Sequence, residues 1–87
     1  MYSLAVREEL DKKLLKLSKK NKKQVKSILK KASEIVLNPN HYKNLRSPLQ
    51  HLKRVHVDRS FVLVFSVDES RKIVTLEDFD HHDKIYK

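Results

Sequence analysis

Ser60-Phe61-Val62-Leu63-Val64-Phe65-Ser66-Val67 is apolar at odd and even positions alike and rich in β-branched and aromatic residues. Such a run predicts a strand buried on both faces. The segments flanking it change to a period of 2, so residues 49–57 and Ile73–Phe79 read as two further strands. Asp58-Arg59 and Asp68-Glu69-Ser70-Arg71 supply the turns. Three strands with connections this short form an antiparallel meander.

Upstream of the meander the pattern is helical. Val25, Ile28, Leu29, Ala32, Ile35 and Val36 recur at helical spacing, and Leu37-Asn38-Pro39 ends that helix because proline disfavours helical geometry in the residue before it. Asn21 with Gln24 three residues on is a capping-box-like start. Leu10, Leu14 and Leu17, with Leu15 beside them, mark an earlier helix over residues 7–19, whose first turn carries Glu8 and Glu9. Tyr2, Leu4 and Val6 alternate as a short first strand. Residues 38–48 hold both prolines and read as an ordered loop, with Tyr42 and Leu45 as its anchors. The tail from Asp80 is too polar for a strand and too short for more than one turn of helix. The order β-α-α-β-β-β predicts an α+β fold in which a helical hairpin packs on one face of a small antiparallel sheet, with the other face open to solvent or ligand. At 87 residues the chain has room for one domain, 1–87.

Composition removes whole classes of function. With no glycine there is no phosphate-binding loop and no dinucleotide-binding turn, and with no cysteine there is no thiolate zinc site, disulfide or cysteine nucleophile. No cofactor is expected. No apolar run approaches the length of a membrane span and no signal peptide is evident, so the expected setting is the cytoplasm, away from any membrane.

The formal charge of +9 points to a polyanion as partner. It is uneven: residues 1–44 carry twelve basic and four acidic side chains, residues 45–87 eight and seven. Ten lysines and no acid lie between Asp11 and Glu34. A solvated polar face accounts for such a run, but a run of like charge repels itself, and phosphate contacts would offset that cost. Lys12, Lys16, Lys19, Lys20, Lys22 and Lys23 are the candidate RNA contacts.

Candidate chemistry lies in the second half. Alternation places Arg54 and His56 on the open side of their strand and Lys53, Val55 and Val57 toward the helices. His81, His82 and Tyr86 cluster in the tail, and histidine suits proton transfer near neutrality. Asp80, His81, His82 and Asp83 also raise a metal site. Adjacent histidines on irregular backbone tend to diverge and no HExxH-like spacing is present, so no metal is expected. Phe61, Phe65 and Phe79 read as core rather than as stacking platforms.

In sequence order, Tyr2-Ser3-Leu4, Leu14-Leu15-Lys16-Leu17, Asn38-Pro39, Leu45-Arg46-Ser47-Pro48-Leu49, Arg54-Val55-His56-Val57, Phe61 to Asp68 and His81-His82-Asp83-Lys84-Ile85-Tyr86 resemble the RelE/ParE toxin superfamily, nearest to small RelE-like mRNA interferases. The resemblance covers essentially the whole chain and implies the fold just derived. It also implies the toxin of a type II toxin-antitoxin system, a metal-independent endoribonuclease. Such a toxin positions mRNA in the ribosomal A site, against ribosomal RNA, so that a ribose 2′-OH attacks the adjacent phosphate and translation is inhibited. The implied partner is an acidic, RelB-like antitoxin.

By the resemblance, Lys53 matches a basic residue that activates the nucleophile or holds phosphate, and His56 a histidine of YafQ-like members. His82 falls where the family tail carries Arg or His, and Tyr86 where several members end in a functional tyrosine. Val62 and Asp80 stand where arginines are usual, with Arg59 as a spatial substitute for the first. These departures favour a histidine-based variant, with Arg54 and Arg59 holding phosphate. Lys53 is thereby assigned to the site, although alternation puts it on the opposite face from Arg54 and His56; a bulge or twist would be needed for both to hold. Two alternatives share the fold: a ParE-like inhibitor of DNA gyrase, and a catalytically degenerate RNA- or ribosome-binding module.

Overall fold

A computed structural model of the chain describes residues 1–85. Strand β1 (Ser3–Val6) leads into helices α1 (Glu8–Lys20) and α2 (Lys22–Leu37). A 3-10 turn over Pro39–His41 and an irregular loop then lead to β2 (Lys53–Val57), β3 (Phe61–Asp68), β4 (Ile73–His81) and a one-turn helix α3 (His82–Ile85). The fold is α+β, with one four-stranded sheet in the order β1-β4-β3-β2. β2, β3 and β4 are the antiparallel meander, and β1 joins the edge in parallel with β4, so the sheet is mixed rather than wholly antiparallel.

The helices form where the apolar spacing requires. Asn21 Oδ1 accepts the Gln24 N–H (3.1 Å), capping α2 in the predicted manner. Leu10, Ile28, Ala32 and Ile35 are buried against Leu63, Phe65, Val74, Leu76 and Phe79. Each of these side chains other than Ala32 contributes roughly 1.5–3 kcal/mol on burial. Helix α1 begins one residue later than expected because Arg7 is extended (φ −60°, ψ 140°) and serves as its cap.

The loop wraps the free edge of β2. Tyr42 packs edge-on against Phe65 on the helix side (5.6 Å between ring centres), whereas Leu45 is buried on the opposite face with Val62 and Val64. The Arg54 N–H donates to the Lys43 carbonyl (3.1 Å), so the edge is covered rather than left as a pairing template.

Four expectations need correction. The strand expected over residues 49–57 begins only at Lys53, because the segment before it satisfies its backbone locally: the Leu52 N–H donates to the Leu49 carbonyl and Asn44 Nδ2 to the Gln50 carbonyl. The third strand of the meander runs on through Asp80 and His81, which pair with Val62 and Phe61. It also carries a bulge, since Val64 pairs with Asp78 and Phe65 with Leu76, leaving Glu77 without an opposite residue. Finally, the face away from the helices is not open. Val62 and Val64 are almost wholly buried there under Leu45, Leu52 and Ile85, as a strand apolar on both sides demands.

Candidate functional site

Pairing settles which side chains of β2 share a face. Arg54 lies opposite Val64 and His56 opposite Val62, so both project onto the far face with the second apolar cluster. Lys53 lies opposite Phe65, on the helix side. Its ammonium donates to the Tyr42 carbonyl (3.1 Å) and to Asn44 Oδ1 (3.2 Å), holding the loop down. The register shift in the sheet is on β3 and β4, so no bulge brings Lys53 round to Arg54 and His56.

A concavity of about 760 Å³ opens on the far face. Arg46, Arg54 and His56 line it, with Leu45 and Ile85 among its apolar walls. Arg46 was not among the residues singled out from the sequence. The signal lay in Leu45: an anchor that buries into one face of the sheet leaves its neighbour at the rim, and here that neighbour is a cation.

Beside it lies a second hollow of about 330 Å³, lined by Glu77, Asp78 and Asp80 from β4 and by Arg7 and Lys84. The carboxylates have cations nearby: Lys13 Nζ reaches Asp78 (3.3 Å) and Asp80 (3.1 Å), and Arg7 lies 3.9 Å from Glu77. Ser66 Oγ also donates to Glu77 (2.6 Å). Partial burial opposes ionisation of Asp80, but the His81 N–H and the Lys13 ammonium outweigh it and hold the carboxyl below its ordinary value. Charge is therefore segregated across the face, acidic along β4 and basic along β2 and its loop. An anion is attracted to the Arg46–Arg54–His56 side, whereas in the other hollow cations already stand against the carboxylates.

The remaining candidates lie around this centre. Arg59 is exposed in the β2–β3 turn, and among the described residues neither hollow is lined by it, by His81 or by His82. Val62, with no exposed surface, offers no opening for a substitute cation at its own position. His82 opens α3, its N–H donating to the Ser60 carbonyl (2.8 Å), two positions beyond the row His56–Val62–Asp80. The expected divergence of the tail histidines is overturned: the His81 and His82 rings stack, centres 4.7 Å apart and planes 26° from parallel. Tyr86 lies outside the described residues. Lys12, Lys16, Lys19, Lys20, Lys22 and Lys23 are all exposed on the helices. Among the described residues no helix is long and apolar enough to cross a membrane.

No protein-family model matches the chain. Over 87 residues it is 62% identical to a Methanocaldococcus jannaschii protein named "Putative toxin RelE4", covering 100% of this chain and 93% of that one. The chain belongs to the RelE toxin family. A Methanosarcina mazei protein described as uncharacterized is 65% identical over 86 residues, 99% of this chain and 100% of that protein. Solved structures share the fold at much lower identity. The RelBE2 toxin-antitoxin complex from Mycobacterium tuberculosis matches with TM-score 0.78 and 18% identity, over 92% of this chain and 96% of that chain. Escherichia coli YafQ matches with TM-score 0.71 and 16% identity over 100% of both chains. In this RelE-family chain the candidate site is the concavity of the far sheet face lined by Arg46, Arg54 and His56.

Proposed function

We propose that this RelE-family chain is the toxin of a type II toxin-antitoxin pair and acts as a ribosome-dependent mRNA endonuclease. The observation that carries the reading is the convergence of Arg46, Arg54 and His56 in one concavity whose lining holds no carboxylate among the described residues. Two guanidiniums match the geometry and charge of a phosphodiester, and an imidazole beside them can move a proton.

In the reaction, the ribose 2′-OH gives its proton to a base and its oxygen attacks the adjacent phosphorus. The bond from phosphorus to the 5′ oxygen breaks, and that oxygen takes a proton from an acid, leaving a 2′,3′-cyclic phosphate. His56 and His82 are the proposed proton-transfer pair. Arg46 and Arg54 hold the phosphate and stabilise the charge that develops on it. Arg59, at the turn, and His81 and Tyr86, in the tail, contribute to placing the RNA, and Lys53 acts through the loop that carries Arg46. The helical lysines contact ribosomal RNA. The partner is an acidic antitoxin suited to a chain of charge +9; the Mycobacterium tuberculosis neighbour is itself a toxin-antitoxin complex.

The test is to map mRNA 5′ ends in a translating extract with wild type and with His56→Ala. Cuts within ribosome-bound codons that disappear with His56→Ala support the reading. Intact messages with wild type, or undiminished cutting by the variant, overturn it.

A further inference from the structure

We propose that His81, His82 and Asp83 form a binding site for a borderline divalent transition ion such as Zn²⁺. One donor atom from each of the three residues falls within 4.8 Å of the others, and among the described residues no other trio of such donors converges. His82 Nδ1 is 3.1 Å from Asp83 Oδ1 and His81 Nδ1 is 3.5 Å from Asp83 Oδ2. Donors bound tetrahedrally at the usual zinc distances of about 2.0–2.2 Å lie about 3.3–3.6 Å apart, and each imidazole nitrogen already stands near that distance from one oxygen of the Asp83 carboxylate, His82 from Oδ1 and His81 from Oδ2. Rotation of the exposed Asp83 carboxylate and of the two rings closes the set from its present span of 4.8 Å.

The trio is held by the sheet rather than by itself. His81 is the last residue of β4, paired with Phe61, whose ring it meets edge-on at 5.7 Å. His82 is fixed by its N–H bond to the Ser60 carbonyl. Two consecutive residues tied to different points of the neighbouring strand cannot swing apart as they would on free backbone, and this gives the stack. The Asp83 N–H donates to His81 Nδ1 at 3.3 Å. An ion would displace that long, exposed bond and replace the imidazole–carboxylate contacts of Asp83 with its own ligation.

Chemistry selects the ion. Two imidazoles and one carboxylate favour zinc, copper or nickel over magnesium or calcium, which prefer all-oxygen shells. The side chains are 38%, 44% and 70% exposed, so an ion reaches them directly from solvent. Three protein ligands leave a position for water or a phosphate oxygen. Ligation uses a lone pair of His82, so, on the proposed function above, a filled site would remove His82 from proton transfer.

The experiment is calorimetric titration of Zn²⁺ into the isolated full-length toxin in chelator-free buffer, with no ribosome present, so it does not depend on cleavage. Wild type is expected to bind one ion, His81→Gln and Asp83→Asn to lose affinity at least tenfold, His41→Gln to match wild type, and Mg²⁺ to give no heat. The imidazole NMR resonances of His81 and His82 should shift on zinc addition while that of His56 stays in place. All three substitutions are at exposed or half-exposed positions, and unchanged far-ultraviolet circular dichroism verifies folding. No binding by wild type, equal affinity in His81→Gln and Asp83→Asn, or shifts confined to the other histidines would each overturn the site.

Discussion

Lys53 and His56 lie three positions apart on β2 and face opposite sides of the sheet, and that separation gives them different expected phenotypes. Lys53 is tied to the Tyr42 carbonyl and Asn44 and so holds the loop that carries Arg46. Lys53→Met is expected to cost about 1–2 kcal/mol in denaturant unfolding, because it leaves a part-buried carbonyl without its charged donor. His56 is exposed at the rim of the concavity, and His56→Ala should change stability by less than about 0.5 kcal/mol while removing the proposed cleavage. The opposite pattern, stability lost at His56 and kept at Lys53, would refute these placements. Asp80 has a pH signature. Its carboxyl is held below the ordinary value in the folded state, so folding favours the ionised form. That contribution is complete above the ordinary carboxylate range near pH 4 and is lost as pH falls through the lowered folded value. Asp80→Asn should therefore cost up to about 1 kcal/mol near pH 7 and progressively less as pH falls below about 4, measured by urea unfolding across that range. At this scale the sides taken by Arg54 and His56 were legible, because strand alternation is a property of the backbone. The stacking of His81 on His82 was not, since it depends on Phe61 and Ser60, twenty or more positions earlier.

Among the elements, β4 shows where local pattern stops being sufficient. Val74, Leu76 and Phe79 are its buried residues, and the last interval is three rather than two. The bulge at Glu77 absorbs the extra residue, so Phe79 enters the core and Asp78 and Asp80 turn to the far face. The interval is present in the sequence. Read as plain alternation, however, it would put Asp78 in the core, and only pairing with β3 fixes which residue is left over. Deleting Glu77 removes the unpaired residue and leaves Val74, Leu76 and Phe79 at strict two-residue spacing on the core face, with Asp78 and Asp80 still on the other. Loss of a buried phenylalanine costs about 3–5 kcal/mol, a large part of a small domain's stability. Phe79→Ala is therefore expected to lower the melting temperature by well over ten degrees or abolish cooperative melting, whereas the Glu77 deletion, which keeps Phe79 on the core face, should melt much closer to wild type. A deletion that melts as low as Phe79→Ala would show that strand spacing alone does not place Phe79. The edge of β2 makes the same point in reverse. Residues 49–52 have strand-like composition, yet local hydrogen bonds from Asn44 and Leu52 hold them as turns.

Across the whole molecule, charge and fold are arranged on different surfaces: the excess lies on the helices and the proposed chemistry on the far side of the sheet. Lys19 and Lys20 end α1, where cations suit the helix dipole, but Lys22 and Lys23 begin α2, which has no acid in its first turn. Two cations at a helix N-terminus are locally unfavourable, by roughly 0.3–1 kcal/mol each. A face serving only for solubility would place them elsewhere, so this pair separates the two readings of the lysine run. The double substitution Lys22→Glu and Lys23→Glu is expected to raise stability by about 1 kcal/mol or more, since it removes two unfavourable charges and adds two favourable ones. If these lysines contact RNA phosphate, the same substitution weakens ribosome binding and flattens its dependence on salt, lowering the log–log slope by roughly 1.5 for two lost single-strand contacts. Unfolding in urea and binding titrations over a range of salt concentrations measure the two effects separately. Higher stability with weaker, less salt-sensitive binding identifies the N-terminus of α2 as a contact surface whose charge is kept at the expense of the fold. Higher stability with unchanged binding would assign the lysines to solvent and leave the sheet face as the only RNA-binding surface in the proposal.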